Sequence, residues 1–178
     1  VEDLEDTVSW LGWLALTGGG GAVVPFVPTR REALDLVFRV LNAGEGDIFY
    51  DLGCGDGRVV IEVLKKFPVK RGVCVEIRRE LLEEATRRAK LEGVDDRFVP
   101  ILGDFFEVPL RDATIVYMYL LASVNESLKH KLSKELPRGA RVISLDFQVS
   151  GWKPVKVIGA RGGWQSTVYY YVIGESDR

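Results

Sequence analysis

The sequence predicts an α/β protein with a Rossmann-like, seven-strand, mostly parallel sheet, helices on both faces and an antiparallel C-terminal hairpin. Three observations carry this expectation. Between residues 30 and 147, short apolar runs alternate with amphipathic helical stretches, the pattern of successive βαβ units. One of those runs breaks into a glycine-rich turn, Asp51-Leu52-Gly53-Cys54-Gly55-Asp56-Gly57, immediately ahead of a helix. The last two strand-like runs, 155–158 and 167–173, are joined through Gly162-Gly163 and lie too close together for a crossover helix, so they pair antiparallel.

Composition bounds the chemistry. At 178 residues, 47% hydrophobic and 28% charged, the chain suits one soluble domain with a full core. Its 24 basic residues against 26 acidic ones give no global field for nucleic acid, and strong nucleic-acid binding is not expected. The pairs Lys65-Lys66, Arg78-Arg79 and Arg87-Arg88 read as solvated helix faces. Cys54 and Cys74 lack C-x-x-C spacing and a histidine neighbour, which predicts free thiols in a reducing, cytoplasmic compartment. No metal site is expected, and His130, the only histidine, falls on an exposed helix face. Sparse Asn, Gln and Met beside dense charge match a thermophile.

The chain divides into an extension, 1–24, and one catalytic-sized domain, 25–178. The extension holds the uncharged run from Val8, which is interrupted by Gly18 to Gly21 and by Pro25, too early for the ~20 apolar residues of a membrane span. It reads as a short amphipathic or partner-facing helix with a glycine hinge, with membrane contact as the alternative. It has no basic region of the signal-peptide kind. Thr29-x-x-Glu32 has capping-box spacing ahead of Leu34, Val37, Phe38 and Leu41. The strand Ile48 to Leu52 and its glycine turn lead a helix that stops at Pro68. Arg71 to Glu76 is a second strand, and Arg78 to Glu92 a charged helix with Leu81, Leu82, Ala85, Ala89 and Leu91 available for burial. Strands follow at 98–102, 113–121 and 140–147, with a helix capped by Ser123-x-x-Glu126 between the last two.

The glycine turn reads as a ligand seat, because Gly53, Gly55 and Gly57 permit positive φ and carry no Cβ to hold a ligand away. Arg58 stands where a dinucleotide fingerprint has its last glycine. Asp51 and Asp56 flank the turn and would repel a pyrophosphate that a helix N-terminus otherwise favours. A cationic ligand suits them, and S-adenosylmethionine, with a sulfonium and an ammonium, is the expected cofactor. Glu76, with Ile77 beside it, lies where an acid in such βαβ units bonds ribose hydroxyls; a plain helix-start carboxylate is the alternative. Asp104 can accept from an adenine amine while Phe105 or Phe106 packs on the ring, or these residues form only a turn over core phenylalanines.

The run Tyr117-Met118-Tyr119-Leu120-Leu121 offers an aromatic and apolar entrance for an amine. Tyr117, Tyr119 and Leu120 are therefore acceptor candidates. Asn125 and Asp146 could orient the amine, or serve as core and capping residues.

Tyr50 to Arg58 resembles motif I of the seven-strand S-adenosylmethionine-dependent methyltransferases. Phe26-Val27-Pro28-Thr29, Gly103-Asp104-Phe105-Phe106-Glu107-Val108 and the stretch from Leu120-Leu121 through Asn125 to Gly151-Trp152-x-Pro154 narrow the resemblance. They are similar to the archaeal broad-specificity protein-lysine methyltransferases and their mitochondrial relatives. The resemblance implies a monomeric or weakly associated enzyme acting on accessible lysines of proteins, chromatin proteins among them. It also implies that Val27, Pro28 and Thr29 close over the cofactor. Arg30 departs from the family, which often has a second proline there. Methylation of RNA, DNA or a small molecule on the same fold, and a non-catalytic cofactor-binding module, are the competing readings.

Overall fold

The computed structural model describes residues 26–159 and 166–178. Helices α1 (Arg31–Leu41), α2 (Arg58–Lys66), α3 (Arg79–Leu91) and α4 (Ala122–Glu135) are interleaved with strands β1 (Ile48–Leu52), β2 (Arg71–Glu76), β3 (Phe98–Leu102), β4 (Ile115–Met118) and β5 (Arg141–Leu145). Strands β6 (Lys156–Gly159) and β7 (Thr167–Val172) complete the chain. All seven strands join one sheet in the order β3-β2-β1-β4-β5-β7-β6, parallel except for the pairings of β7 with β5 and β6. This is the sheet expected from the sequence. The extension 1–24 and the Gly162-Gly163 connection lie outside the described residues.

Alternation along the central strands sorts side chains onto two buried layers. Phe49, Ile115, Tyr117, Ile143 and Leu145 face the layer built with α1, α2 and α3. Tyr50, Leu52, Val116, Met118 and Val142 face the layer that includes Leu128 and Leu132 of α4. β1 is buried along its whole length. From β1 the chain builds outward through β2 and β3 on one side, then returns to start β4 on the other. The switch point therefore lies between β1 and β4, where open α/β sheets place ligands beyond their carboxyl ends.

Several local expectations are corrected by tertiary contacts. β4 ends at Met118, opposite Leu52, so Tyr119 to Leu121 run past the sheet instead of extending it. Neither predicted capping box forms. α1 starts from Arg30 without a side-chain cap, because the Thr29 hydroxyl is engaged with Tyr117. α4 starts from Leu121, which places Ser123 inside the helix. On α3 the buried stripe is Leu82, Ala85 and Ala89, whereas Leu91 at its end is exposed. The two cysteines are not free thiols: Cys54 and Cys74 form a disulfide with Cα atoms 5.3 Å apart, because the loop after β1 folds back across β2. The expectation of a reducing compartment loses its support with them.

Packing between β2 and α2 is tight at Gly72, where a Cβ would stand 2.7 Å from Val60 Cγ1 and 3.0 Å from Leu64 Cγ. Gly72→Ala is expected to lower the unfolding free energy by about 1–3 kcal/mol through overpacking. The check is a lower urea midpoint with unchanged slope; a midpoint at or above wild type contradicts this account.

Candidate active site

The loop after β1 passes through Gly53, Gly55 and Gly57, at φ of 77°, 58° and 80°. It is laid across the end of β2. Gly53 N and Cys54 N both donate to Val75 O, at 2.9 and 3.0 Å, and Gly55 N donates to Glu76 Oε1 at 3.0 Å. The second Glu76 oxygen accepts from Arg78 N at 2.8 Å. A Cβ at Gly57 would lie 2.7 Å from Ala85 Cβ, so this glycine serves the contact of α2 with α3. At Gly55 a Cβ would fall within the Phe26 ring, which covers the loop from outside.

A cavity opens above this loop at the carboxyl ends of β1, β2 and β4. Phe26, Val27 and Thr29 form one wall, and Ile77, Asp104, Phe105 and Phe106 another. Asp51, Gly53, Cys54, Arg58, Val59, Glu76 and Arg78 make the floor. Tyr117, Tyr119 and Leu120 close the end towards β4. Leu120 Cδ2 and Phe105 Cε1 approach Gly53 from opposite elements, 3.5 and 3.7 Å from where its Cβ would be.

Electrostatics favour a cation. Asp51 is buried to 3% exposure. Burial pushes its carboxyl well above the ordinary value, and the charges of Glu76 and Asp56 push it further. Asp56 behaves differently from the sequence expectation. It turns from the cavity to Arg58, with contacts of 3.1 and 2.8 Å, and to Arg88 at 3.4 Å. Burial raises the Asp56 carboxyl, but the hydrogen bonds and charge of Arg58, with the charge of Arg88, outweigh it and hold the group low. Of the two aspartates flanking the loop, Asp51 alone lines the cavity.

At the other end, Tyr117 is buried and its hydroxyl shares a 2.8 Å hydrogen bond with Thr29 Oγ1, tying the segment before α1 to β4. Burial, then the charge of Asp51, raises the Tyr117 hydroxyl well above its usual value. Tyr119 is raised by burial and by the charge and hydrogen bond of Asp146. Asp146 holds φ 64°, an uncommon conformation outside glycine. Its Oδ1 accepts from Thr167 N at 2.8 Å while its own N–H donates to Thr167 O at 2.7 Å. Arg30 donates to Ser166 Oγ at 3.2 Å, which links the same segment to the start of β7.

Most sequence-selected residues thus converge: Val27, Thr29, Asp51, Gly53, Glu76, Ile77, Asp104, Phe105, Tyr117, Tyr119 and Leu120 line one cavity. Asp104 already accepts from Phe106 N at 2.9 Å through one oxygen. Pro28, Gly55 and Gly57 support the walls without lining them, and Asp146 reaches the cavity only through Tyr119. Asn125 is not brought there. It is fully buried and its amide donates to Ser144 Oγ, Phe147 O and Gln148 O, which fastens the turn after β5. Phe26, Cys54, Arg58, Val59 and Arg78 line the cavity beyond the residues expected from the sequence. Phe26 stood in the quoted Phe26-Val27-Pro28-Thr29 motif, and Arg58 opens the helix after the loop, whereas nothing in the spacing pointed to Arg78.

A buried acid at the end of β1, a second at the end of β2 and apolar plates beyond it fit a cationic nucleoside. On this sheet they define a class I S-adenosylmethionine-dependent methyltransferase. Residues 51–156 match the ANTKMT methyltransferase domain, and the chain belongs to that family. It is 46% identical over 153 residues to a protein-lysine N-methyltransferase of Saccharolobus islandicus, covering 85% of this chain and 95% of that one. It is 33% identical to the adenine nucleotide translocase lysine N-methyltransferase of Mus musculus over 76% of this chain, and spans 58% of that relative's length. Among solved structures it resembles an RNA methyltransferase from Salinibacter ruber in complex with S-adenosyl-L-homocysteine. The TM-score is 0.78 and the identity 38%, over 83% of this chain and 94% of that one. Among the described residues no helix is long and apolar enough to cross a membrane.

Asp51 sets a pH dependence of stability. Its raised pKa means the folded protein holds a proton that the unfolded chain gives up near pH 4, so ligand-free stability falls as pH rises from there through the raised value. Asp51→Asn is expected to raise the ligand-free melting temperature at pH 7, flatten its pH dependence and weaken S-adenosylmethionine binding at least tenfold. Melting curves from pH 4 to 9, with calorimetric titration, check all three.

Proposed function

We propose that this enzyme transfers methyl groups from S-adenosylmethionine to the ε-amine of lysines in protein substrates. The observation that carries the acceptor is the similarity to the archaeal protein-lysine methyltransferase over nearly its whole length. The geometry of the β4 end of the cavity supports it. S-adenosylmethionine supplies a methyl group already activated by its sulfonium, so the protein's task is alignment and exclusion of water.

The buried Asp51 carboxyl, whose ionisation a neighbouring cation would favour, answers the cofactor's cationic end, and Glu76 retains lone pairs for ribose hydroxyls after bonding Gly55 and Arg78. Ile77, Phe105 and the remaining oxygen of Asp104 suit an adenine. The segment through Val27, Pro28 and Thr29 covers the site, held by the Thr29–Tyr117 hydrogen bond. The half-buried ring of Tyr119 and the buried Leu120 receive the acceptor chain, with Asp146 orienting Tyr119.

A lysine must lose its proton before it attacks, which costs about 4–5 kcal/mol at pH 7 from a pKa of about 10.4. An apolar wall lowers that cost by disfavouring the ammonium. Among the described residues no histidine lines the cavity, and the proton leaves to solvent without a dedicated base. Lysine-rich proteins, chromatin proteins among them, are the substrates to try first.

Methylation of RNA is the second reading, favoured by the resemblance to the Salinibacter ruber enzyme. The residues after β4, Tyr119-Leu120-Leu121, lack the Asn/Asp-Pro-Pro-aromatic pattern of enzymes acting on base amines, and the net charge of −2 offers nucleic acid little attraction. Incubation with labelled cofactor and, separately, with lysate protein, tRNA and DNA decides between them. Label in protein, mapped to lysine by mass spectrometry, is the expected result; label confined to RNA reverses the assignment. Tyr119→Ala is expected to reduce kcat/KM for a protein acceptor about ten- to a hundredfold with S-adenosylhomocysteine affinity unchanged. Glu76→Ala is expected to weaken the cofactor instead.

A further inference from the structure

We propose that Cys54 and Cys74 are a redox site built beneath the cofactor loop: their disulfide fixes the loop on β2, and its reduction to two thiols loosens the loop and weakens cofactor binding. The inference rests on the reading of this loop as the cofactor's seat. Cys54 stands between Gly53 and Gly55 and lines the cavity. Cys74 lies in β2, two residues ahead of Glu76, whose carboxylate accepts from Gly55 N. The Cα separation of 5.3 Å is within the range that a disulfide spans without moving the backbone.

The bond acts where the chain is most permissive. Gly53, Gly55 and Gly57 all occupy positive φ, so the loop has many alternatives once released. With the disulfide open, it is held on β2 by the hydrogen bonds of Gly53, Cys54 and Gly55 to Val75 and Glu76. The bond also clips the β1-α2-β2 unit across a sequence separation of 20, restricting the unfolded chain. Its two ends thus belong to the element that seats the cofactor and to the strand that carries Glu76.

Access completes the coupling. Cys54 and Cys74 are 5% and 0% exposed, so a reductant reaches the sulfurs only when the loop lifts. A ligand seated on the loop opposes that motion. At equilibrium, a disulfide that favours the cofactor is itself favoured by the cofactor by the same factor. The reductant is a dithiol. Its thiolate attacks one sulfur, breaking the protein S–S bond to form a mixed disulfide, and its second thiol resolves it. Two electrons and two protons pass to the cysteines, and the dithiol leaves as a disulfide.

The experiment uses the full chain purified without reductant. Iodoacetamide under denaturing conditions should add nothing to the cysteines before dithiothreitol treatment and two adducts after it, read by mass. Reduced protein is expected to melt about 10 °C lower and to bind S-adenosylhomocysteine about three- to tenfold more weakly. Saturating S-adenosylhomocysteine should slow the appearance of thiols several-fold. In Cys74→Ala, dithiothreitol should leave the affinity unchanged, which separates loss of the bond from any other effect of the reductant. Alkylation of both cysteines in the untreated protein overturns the proposal. Equal affinity in both redox states, or reduction no slower with ligand, overturns the lock alone. Absence of binding in either state overturns the cofactor seat as well.

Discussion

The attachment of the loop after β1 to the end of β2 is the constraint on which the site depends. Gly53, Cys54 and Gly55 hand their N–H groups to Val75 O and Glu76 Oε1, and a disulfide lies beside them. These contacts leave the cavity face of the loop open to a ligand. They also fix Glu76, since its other oxygen is held by Arg78 N. Glycine suits this path, because the backbone takes positive φ at Gly53, Gly55 and Gly57 and because Phe26 and Ala85 occupy the space that a Cβ at Gly55 or Gly57 would need.

Asp51 shows what such a site costs the fold. A carboxyl buried beside two like charges is driven towards its protonated form, and a cationic ligand relieves that pressure. The cost to the fold is the kind that functional sites commonly carry. Asp56 avoids the conflict through its pairs with Arg58 and Arg88.

The β4 end of the cavity is assembled from elements far apart in the chain. Thr29 meets Tyr117, Arg30 meets Ser166, and Asp146 meets both Tyr119 and Thr167. The segment before α1 is therefore joined to β4 and to the start of β7 by polar contacts. Asn125 supports this assembly from below by fastening the turn at Phe147 and Gln148, which keeps Asp146 in place one residue earlier.

The amino-acid sequence alone determined the order of strands and helices, the position of the glycine loop and the two acids that end β1 and β2. Each depends on local spacing, through apolar periodicity, glycine permissiveness and distance along one βαβ unit. Tertiary structure decided the rest. It spent the Thr29 hydroxyl on Tyr117 instead of a helix cap, turned Asp56 away, buried Asn125 and joined Cys54 to Cys74. A side chain's partner across the sheet depends on which strands become neighbours and which face each residue takes, and no pattern of nearby residues encodes that.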